Sequence, residues 1–101
     1  MYRQIVQEFT HHPRDIHTVP TCSNSHKWFY VFTDNGILYV EAGHHNTPKS
    51  SVKRRALSEA ECNKILEIYH RRMAGEQVSR EAQDCTYSQV YWYGIFSEMN
   101  L

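Results

Sequence analysis

An α+β fold is what this sequence predicts, and two features predict it. Residues 28–42 hold two runs with strand composition, WFYVFT and ILYVEA, joined by Asp34-Asn35-Gly36, and residues 58–74 read as an amphipathic helix with a start signal and a stop signal. A lone hairpin is not stable in water, so the hairpin is expected to pack on the helix. The C-terminal third then completes the core, either as further helices or as a third antiparallel strand over 86–96. A chain of 101 residues is expected to form a single domain, 1–101, with a core large enough to fold alone.

Residues 1–27 carry little pattern. IVQEF suits a short strand or part of a helix, and HHPRD and VPTCSNS contain Pro13 and Pro20 among polar residues that mark turns. The hairpin that follows is well marked. Asn-Gly supplies the two positive φ angles of a tight two-residue turn. Strand alternation puts Trp28, Tyr30 and Phe32 on one face and Phe29, Val31 and Thr33 on the other. Both faces are largely apolar, so one is expected to be covered fully and the other in part.

Residues 43–57, GHHNTPKSSVKRRAL, read as a polar, basic connection. Ser58 with Glu61 three residues on forms a capping box for the long helix. Cys62, Ile65, Leu66, Tyr69 and Met73 recur at helical spacing and predict its apolar stripe. Arg71 and Arg72 suit the negative end of the helix dipole, and Gly75 suits the C′ position. Ser79 is placed to cap a short helix running to Cys85. Beyond it, QVYWYGIF favours a strand by composition, and Gly94 disfavours a helix interior by about 1 kcal/mol. Against that, Thr86 with Gln89 forms another capping box.

Read as helices, LSEAECNKILEIYHRRMAGEQVSREAQDCTYSQVYWYGIF resembles the three-helix DNA-binding domains of bacterial invertases and resolvases, and the helix-turn-helix of small phage repressors. The likeness covers about 40 residues and is one of layout. Ala82 occupies the position where the two helices of the motif pass closely, and Val78, Cys85, Tyr87, Trp92 and Ile95 match its apolar positions. The resemblance implies double-stranded DNA as a partner, with Ser88, Gln89 and Tyr93 turned to base edges in the major groove. It also implies that Lys49, Lys53, Arg54 and Arg55 act as a basic arm on phosphates or in a minor groove. The chain departs from the pattern at Thr86, where the motif turn usually has glycine, and in the absence of Lys and Arg from 82–101.

Charge is balanced, with 11 basic and 11 acidic residues, but unevenly placed. Residues 47–81 carry eight basic and five acidic groups, while 82–101 carry two acidic groups and no basic one. Phosphate binding rests on Lys and Arg, so the tail contributes none of it. Aromatic residues make up 13% of the chain, and seven of them are Tyr. Trp28, Tyr30, Tyr39, Tyr91, Trp92 and Tyr93 therefore form a second candidate site. They suggest an aromatic surface for a protein partner, a small ligand or a second copy in a homodimer.

Seven histidines raise the question of a metal. Zinc sites take four N or S ligands, usually in short paired spacings. Here only Cys22 and His26 stand at a ligand-like separation, so no metal or other cofactor is expected. Gly43-His44-His45-Asn46 after a hairpin suggests a His-Asn-His nuclease, but the next helix carries no histidine before His70 and no acidic cluster stands nearby. No nucleophile elbow, phosphate loop or dinucleotide fingerprint is present, so no catalytic residue is assigned. Cys22, Cys62 and Cys85 are odd in number and widely spaced, which reads as free thiols. The N-terminal MYRQIVQEFTHH lacks the apolar stretch of a secretory signal, and no apolar run approaches the ~20 residues of a membrane span. The expected compartment is the cytoplasm. The sequence thus predicts a non-enzymatic binding protein, with DNA through 78–97 and the basic arm 49–55 as one reading and a protein or small-ligand contact as the other.

Overall fold

The computed structural model describes residues 1–17, 28–43, 54–85 and 88–101. In chain order these form α1 (Tyr2–His11), β1 (Arg14–His17), β2 (Trp28–Asp34), β3 (Ile37–Ala42), β4 (Arg55–Leu57), α2 (Glu59–Met73), α3 (Ser79–Cys85) and α4 (Gln89–Glu98). The α+β class holds. The sheet has four antiparallel strands in the order β1-β2-β3-β4.

The first helix comes from the stretch that composition leaves ambiguous. Tyr2, Ile5, Val6 and Phe9 fall at helical spacing, and Ile5 and Phe9 are fully buried. Pro13, which has no amide hydrogen, prevents the helix from running on. The Tyr2 hydroxyl donates to the Leu57 carbonyl at 2.6 Å and accepts from the Leu38 amide at 3.1 Å. One side chain of α1 thereby spans β3 and β4, and its burial pushes the phenol above its usual pKa.

The hairpin forms as its turn residues require. Asp34 pairs with Ile37 across a two-residue loop in which Asn35 and Gly36 have φ of 53° and 76°. Register then sorts the side chains. Ile16, Phe29, Val31, Leu38, Val40 and Leu57 lie on the inner face and are buried. Helix α1 packs on β2 and β3, and α4 packs on β1. Helix α2 rests against α1, α3 and α4, so its residues Cys62, Ile65, Ile68 and Tyr69 join the same core. Arg14, also directed inward, ties the layers at one end. It bonds Glu8 at 2.9 Å and Glu98 at 3.1 Å, with its guanidinium 4.7 Å from the centre of the Phe9 ring.

The caps of α2 form as its sequence predicts. Ser58 Oγ accepts from the Glu61 amide at 3.3 Å. At the other end the Glu76 amide bonds the Arg71 carbonyl and the Gly75 amide bonds the Arg72 carbonyl, a Schellman closure with Gly75 at φ 97°. The predicted apolar stripe needs one correction: Met73 is 68% exposed, because it lies in the last turn, and Ile68 takes a core place instead. Val78 and Ala82 bury the contact of α3. Arg71 bridges to Glu81 at 2.7 Å and to Glu76 at 3.2 Å, which holds the Glu81 carboxyl below its usual range.

Residues 86–96 do not supply a third strand. The described part of that segment is helical, and the remaining strands are β1 and β4, the latter from the end of the stretch that reads as a connection. Helix α4 is so deeply packed that Trp92, Tyr93, Gly94, Ile95 and Phe96 are all buried. Gly94 is why it can be. A Cβ there would stand 3.0 Å from the His17 carbonyl oxygen and 3.0 Å from Phe29 Cζ. The glycine lets the helix backbone approach β1 and β2 closely, which offsets its poor helix propensity. Thr86, the expected cap, lies outside the described residues. Ser88 occupies the N-cap position without a side-chain capping bond. Among the described residues no helix is long and apolar enough to cross a membrane.

Candidate binding surface

Among the described residues, the outer face of the sheet gathers four aromatic residues that lie outside the buried core. Alternation along β2 turns Trp28, Tyr30 and Phe32 outward, and register places Tyr39 of β3 directly opposite Phe32. The Phe32 and Tyr39 rings stack with centroids 5.6 Å apart, and Tyr30 lies 5.8 Å from Phe32. Trp28 meets the His17 ring edge-on at 5.5 Å. All four aromatic residues are half-buried. Among the described residues, the helices reach the sheet through inner-face groups such as Leu38, Leu57 and Phe29.

Charged groups frame these rings. Arg54 lies just before β4, with its guanidinium 3.8 Å from the centre of the Tyr39 ring and 5.5 Å from that of Phe32. It also donates to Asp34 at 2.6 Å. Hydrogen bonding to Asp34 first, and then to Tyr39, raises its pKa above the ordinary arginine value. Register sets Asp15 of β1 and Glu41 of β3 on either side of Tyr30. A row of rings with a cation at one end and carboxylates beside its centre can hold a partner by stacking, by cation–π contact and by hydrogen bonding. Nothing in it resembles a nucleophile with its base.

The predicted site residues separate. Of the aromatic set, Trp28, Tyr30 and Tyr39 come together on the outer face. Tyr91, Trp92 and Tyr93 lie on α4, on the inner side. Tyr91 packs on Phe29 at 5.0 Å, Trp92 is fully buried, and Tyr93 is 5% exposed against Tyr69. The single six-residue aromatic surface is therefore corrected to three of those residues plus Phe32. The alternation of β2 already placed Phe32 on that face.

Of the DNA-contact set, Lys49 and Lys53 lie outside the described residues. Arg54 joins the aromatic face. Arg55 is directed inward at the sheet edge and its guanidinium donates to Ser88 Oγ at 3.2 Å. Ser88 is itself buried, and the Gln89 amide oxygen is buried without a hydrogen-bond partner. The expectation that Ser88 and Tyr93 show an outward face on α4 is thus corrected. That helix is apolar nearly all round and is buried accordingly.

The thiols and histidines offer no reactive cluster among the described residues. Burial pushes the Cys62 thiol up to about 11 and also raises Cys85, which keeps both protonated and poorly nucleophilic. No group of three His, Cys, Asp or Glu side chains suited to a metal occurs among the described residues. Cys22, His26, His44 and His45 lie outside them. No protein-family model, no curated protein and no solved structure matches this chain significantly.

Proposed function

We propose that this chain is a non-enzymatic binding module that holds a protein partner on the outer face of its sheet. One observation carries the reading. Trp28, Tyr30, Phe32 and Tyr39 share the side of the sheet away from α1 and α4, with the rings of Tyr30, Phe32 and Tyr39 in contact and Arg54 laid over one end. Contiguous apolar surface rimmed by polar groups marks contact sites. Tyr, Trp and Arg are the residues that dominate binding energy at protein interfaces. A half-buried ring that stacks on its neighbour is already ordered, so a partner meets a surface that loses little side-chain entropy on binding.

A second reading, duplex DNA held by the C-terminal helices, is supported by the order of α2, α3 and α4. It is weakened by the burial of Ser88 and Tyr93 and by the lack of basic groups on α4. The two readings separate in one experiment. A photo-crosslinking amino acid in place of Phe32 should give a discrete protein adduct in lysate of the source cell, and the same group in place of Glu67 on α2 should give none. Equal labelling at both positions counts against the proposal. Salt-sensitive retention on duplex DNA that survives Phe32→Ala but is lost with Gln89→Ala would move the function to the C-terminal helices.

A further inference from the structure

Two side-chain atoms among the described residues are buried without a hydrogen-bond partner, the amide oxygen of Gln89 and the indole Nε1 of Trp92. Buried polar groups are nearly always bonded to protein or to ordered water, so each exception needs an explanation. These two are neighbours and complementary in kind. Gln89 opens α4 and Trp92 follows three residues on, a spacing that puts side chains side by side on a helix. A helical side chain leans over the turn that precedes it, so the Trp92 ring lies over the turn that carries Gln89. The indole N–H only donates and the amide oxygen only accepts. Trp92 is fully buried, with the Phe96 ring stacked at 5.6 Å and the Tyr2 ring at 6.4 Å.

The hydroxyls of this region are already engaged. Tyr2 donates to the Leu57 carbonyl and accepts from the Leu38 amide, and Ser88 Oγ accepts from Arg55. Gln89 and Trp92 do not bond each other. An anion would suit the indole N–H and be repelled by the amide oxygen, and a cation the reverse. The missing partner is therefore a neutral species that accepts one hydrogen bond and donates another. Water is the smallest that does both, and two polar partners suffice to hold one in an interior. We propose that α4 holds an internal water that accepts from Trp92 Nε1 and donates to Gln89 Oε1. The bridge fastens the first turn of α4, whose N-cap has no side-chain capping bond, to the ring that packs on Tyr2. It also commits the Gln89 amide oxygen to the interior. That oxygen is the acceptor half of a two-point adenine contact, so Gln89 does not read bases in this way. The site is independent of the outer face of the sheet.

Water-selective NOE and ROE spectra of the isotope-labelled full chain test this, with Trp28→Phe assigning the two indole signals. The expected result is a cross-peak from the Trp92 indole proton at the water frequency, with opposite signs in the two spectra. Opposite signs mark a resident water, whereas proton exchange gives the same sign in both. Gln89→Leu, which keeps bulk without an acceptor, should abolish the peak and move the indole proton upfield. A crystal structure should place one ordered oxygen within about 3.2 Å of both atoms. No cross-peak in the wild type overturns the inference, and that result does not depend on how the variant folds. A peak untouched by Gln89→Leu also overturns it, because the water would then be held elsewhere. So does a crystal structure that shows the amide oxygen bonded directly to the indole, or a copurified compound between them in place of water.

Discussion

Phe29 and Phe32 stand three residues apart on one strand and meet opposite fates. Phe29 is 2% exposed, clamped between α4 and the sheet, with the Tyr91 ring 5.0 Å away. Phe32 is half-buried among Tyr30, Tyr39 and Arg54. By composition both faces of β2 are largely apolar, and the one with Trp28, Tyr30 and Phe32 is the more aromatic. What separates the buried face from the half-buried one, among the described residues, is whether the helices supply the cover. Here α1 and α4 do so for one face. Apolar content therefore tells how much surface wants covering, and only topology tells which part the fold covers itself.

The sharpest way to break that comparison is to truncate both rings. Phe29→Ala removes a fully packed ring and should cost about 3–5 kcal/mol of unfolding free energy. Phe32→Ala should cost no more than about 1 kcal/mol. Urea denaturation of the two variants measures both. Similar losses would mean that the outer face is core and that the proposed contact surface does not exist.

Gly94→Val comes next. Its branched side chain would meet the His17 carbonyl oxygen and the Phe29 ring, where even a Cβ stands at 3.0 Å. Overpacking of that kind costs about 1–3 kcal/mol. The loss should appear in the denaturation midpoint together with shifted amides on β1 and β2, and the outer-face rings should be undisturbed. A neutral outcome would show that α4 does not seat closely on the inner face.

The buried thiol gives an effect confined to alkaline pH. Burial raises Cys62 from an ordinary 9.0 to about 11. The native state then keeps a proton that the unfolded chain has already lost. Stability from this group is complete below about pH 9 and falls as pH rises toward about 11. Burial also raises Tyr2 and Tyr93, whose unfolded counterparts ionise near 10.0. The interval from about pH 9 to 10 therefore reports chiefly on the two raised thiols, Cys62 and Cys85, and the Cys62→Val comparison separates them. Urea midpoints across that interval should fall in the wild type and be flatter in Cys62→Val. Equal slopes would place Cys62 in contact with water.

The same contrast explains which elements are legible before any coordinates. Asn35-Gly36, Ser58 with Glu61, and Gly75 each dictate a local geometry, and the hairpin and both ends of α2 follow from them. Strands β1 and β4 have four and three residues, too short to show a period against polar neighbours. Helix α4 hides for the opposite reason. A segment buried nearly all round has no polar stripe, so QVYWYGIF shows β-branched and aromatic composition and no helical period. Its glycine argues against a helix until His17 and Phe29 are known to lie beneath it. The candidate site was half legible on the same grounds. Strand alternation correctly groups Trp28, Tyr30 and Phe32, but no local rule says that Tyr91, Trp92 and Tyr93 belong to the other side of the sheet.

The smallest effect is the most specific to the outer face. Arg54 is exposed and its bridge to Asp34 is a surface pair, so Arg54→Gln should leave the denaturation midpoint essentially unmoved. The ring geometry should still report its loss. With the guanidinium 3.8 Å above the Tyr39 centroid, the Arg54 side-chain protons sit in the ring's shielding cone. They should resonate upfield of ordinary arginine positions. Tyr39→Leu should return them to those positions, and Phe32→Leu should move them less, because that ring is 5.5 Å away. Unshifted Arg54 resonances in the wild type would mean that the cation swings free of the rings. The outer face would then lack its preorganised end, and its contrast with the tightly packed inner face would widen.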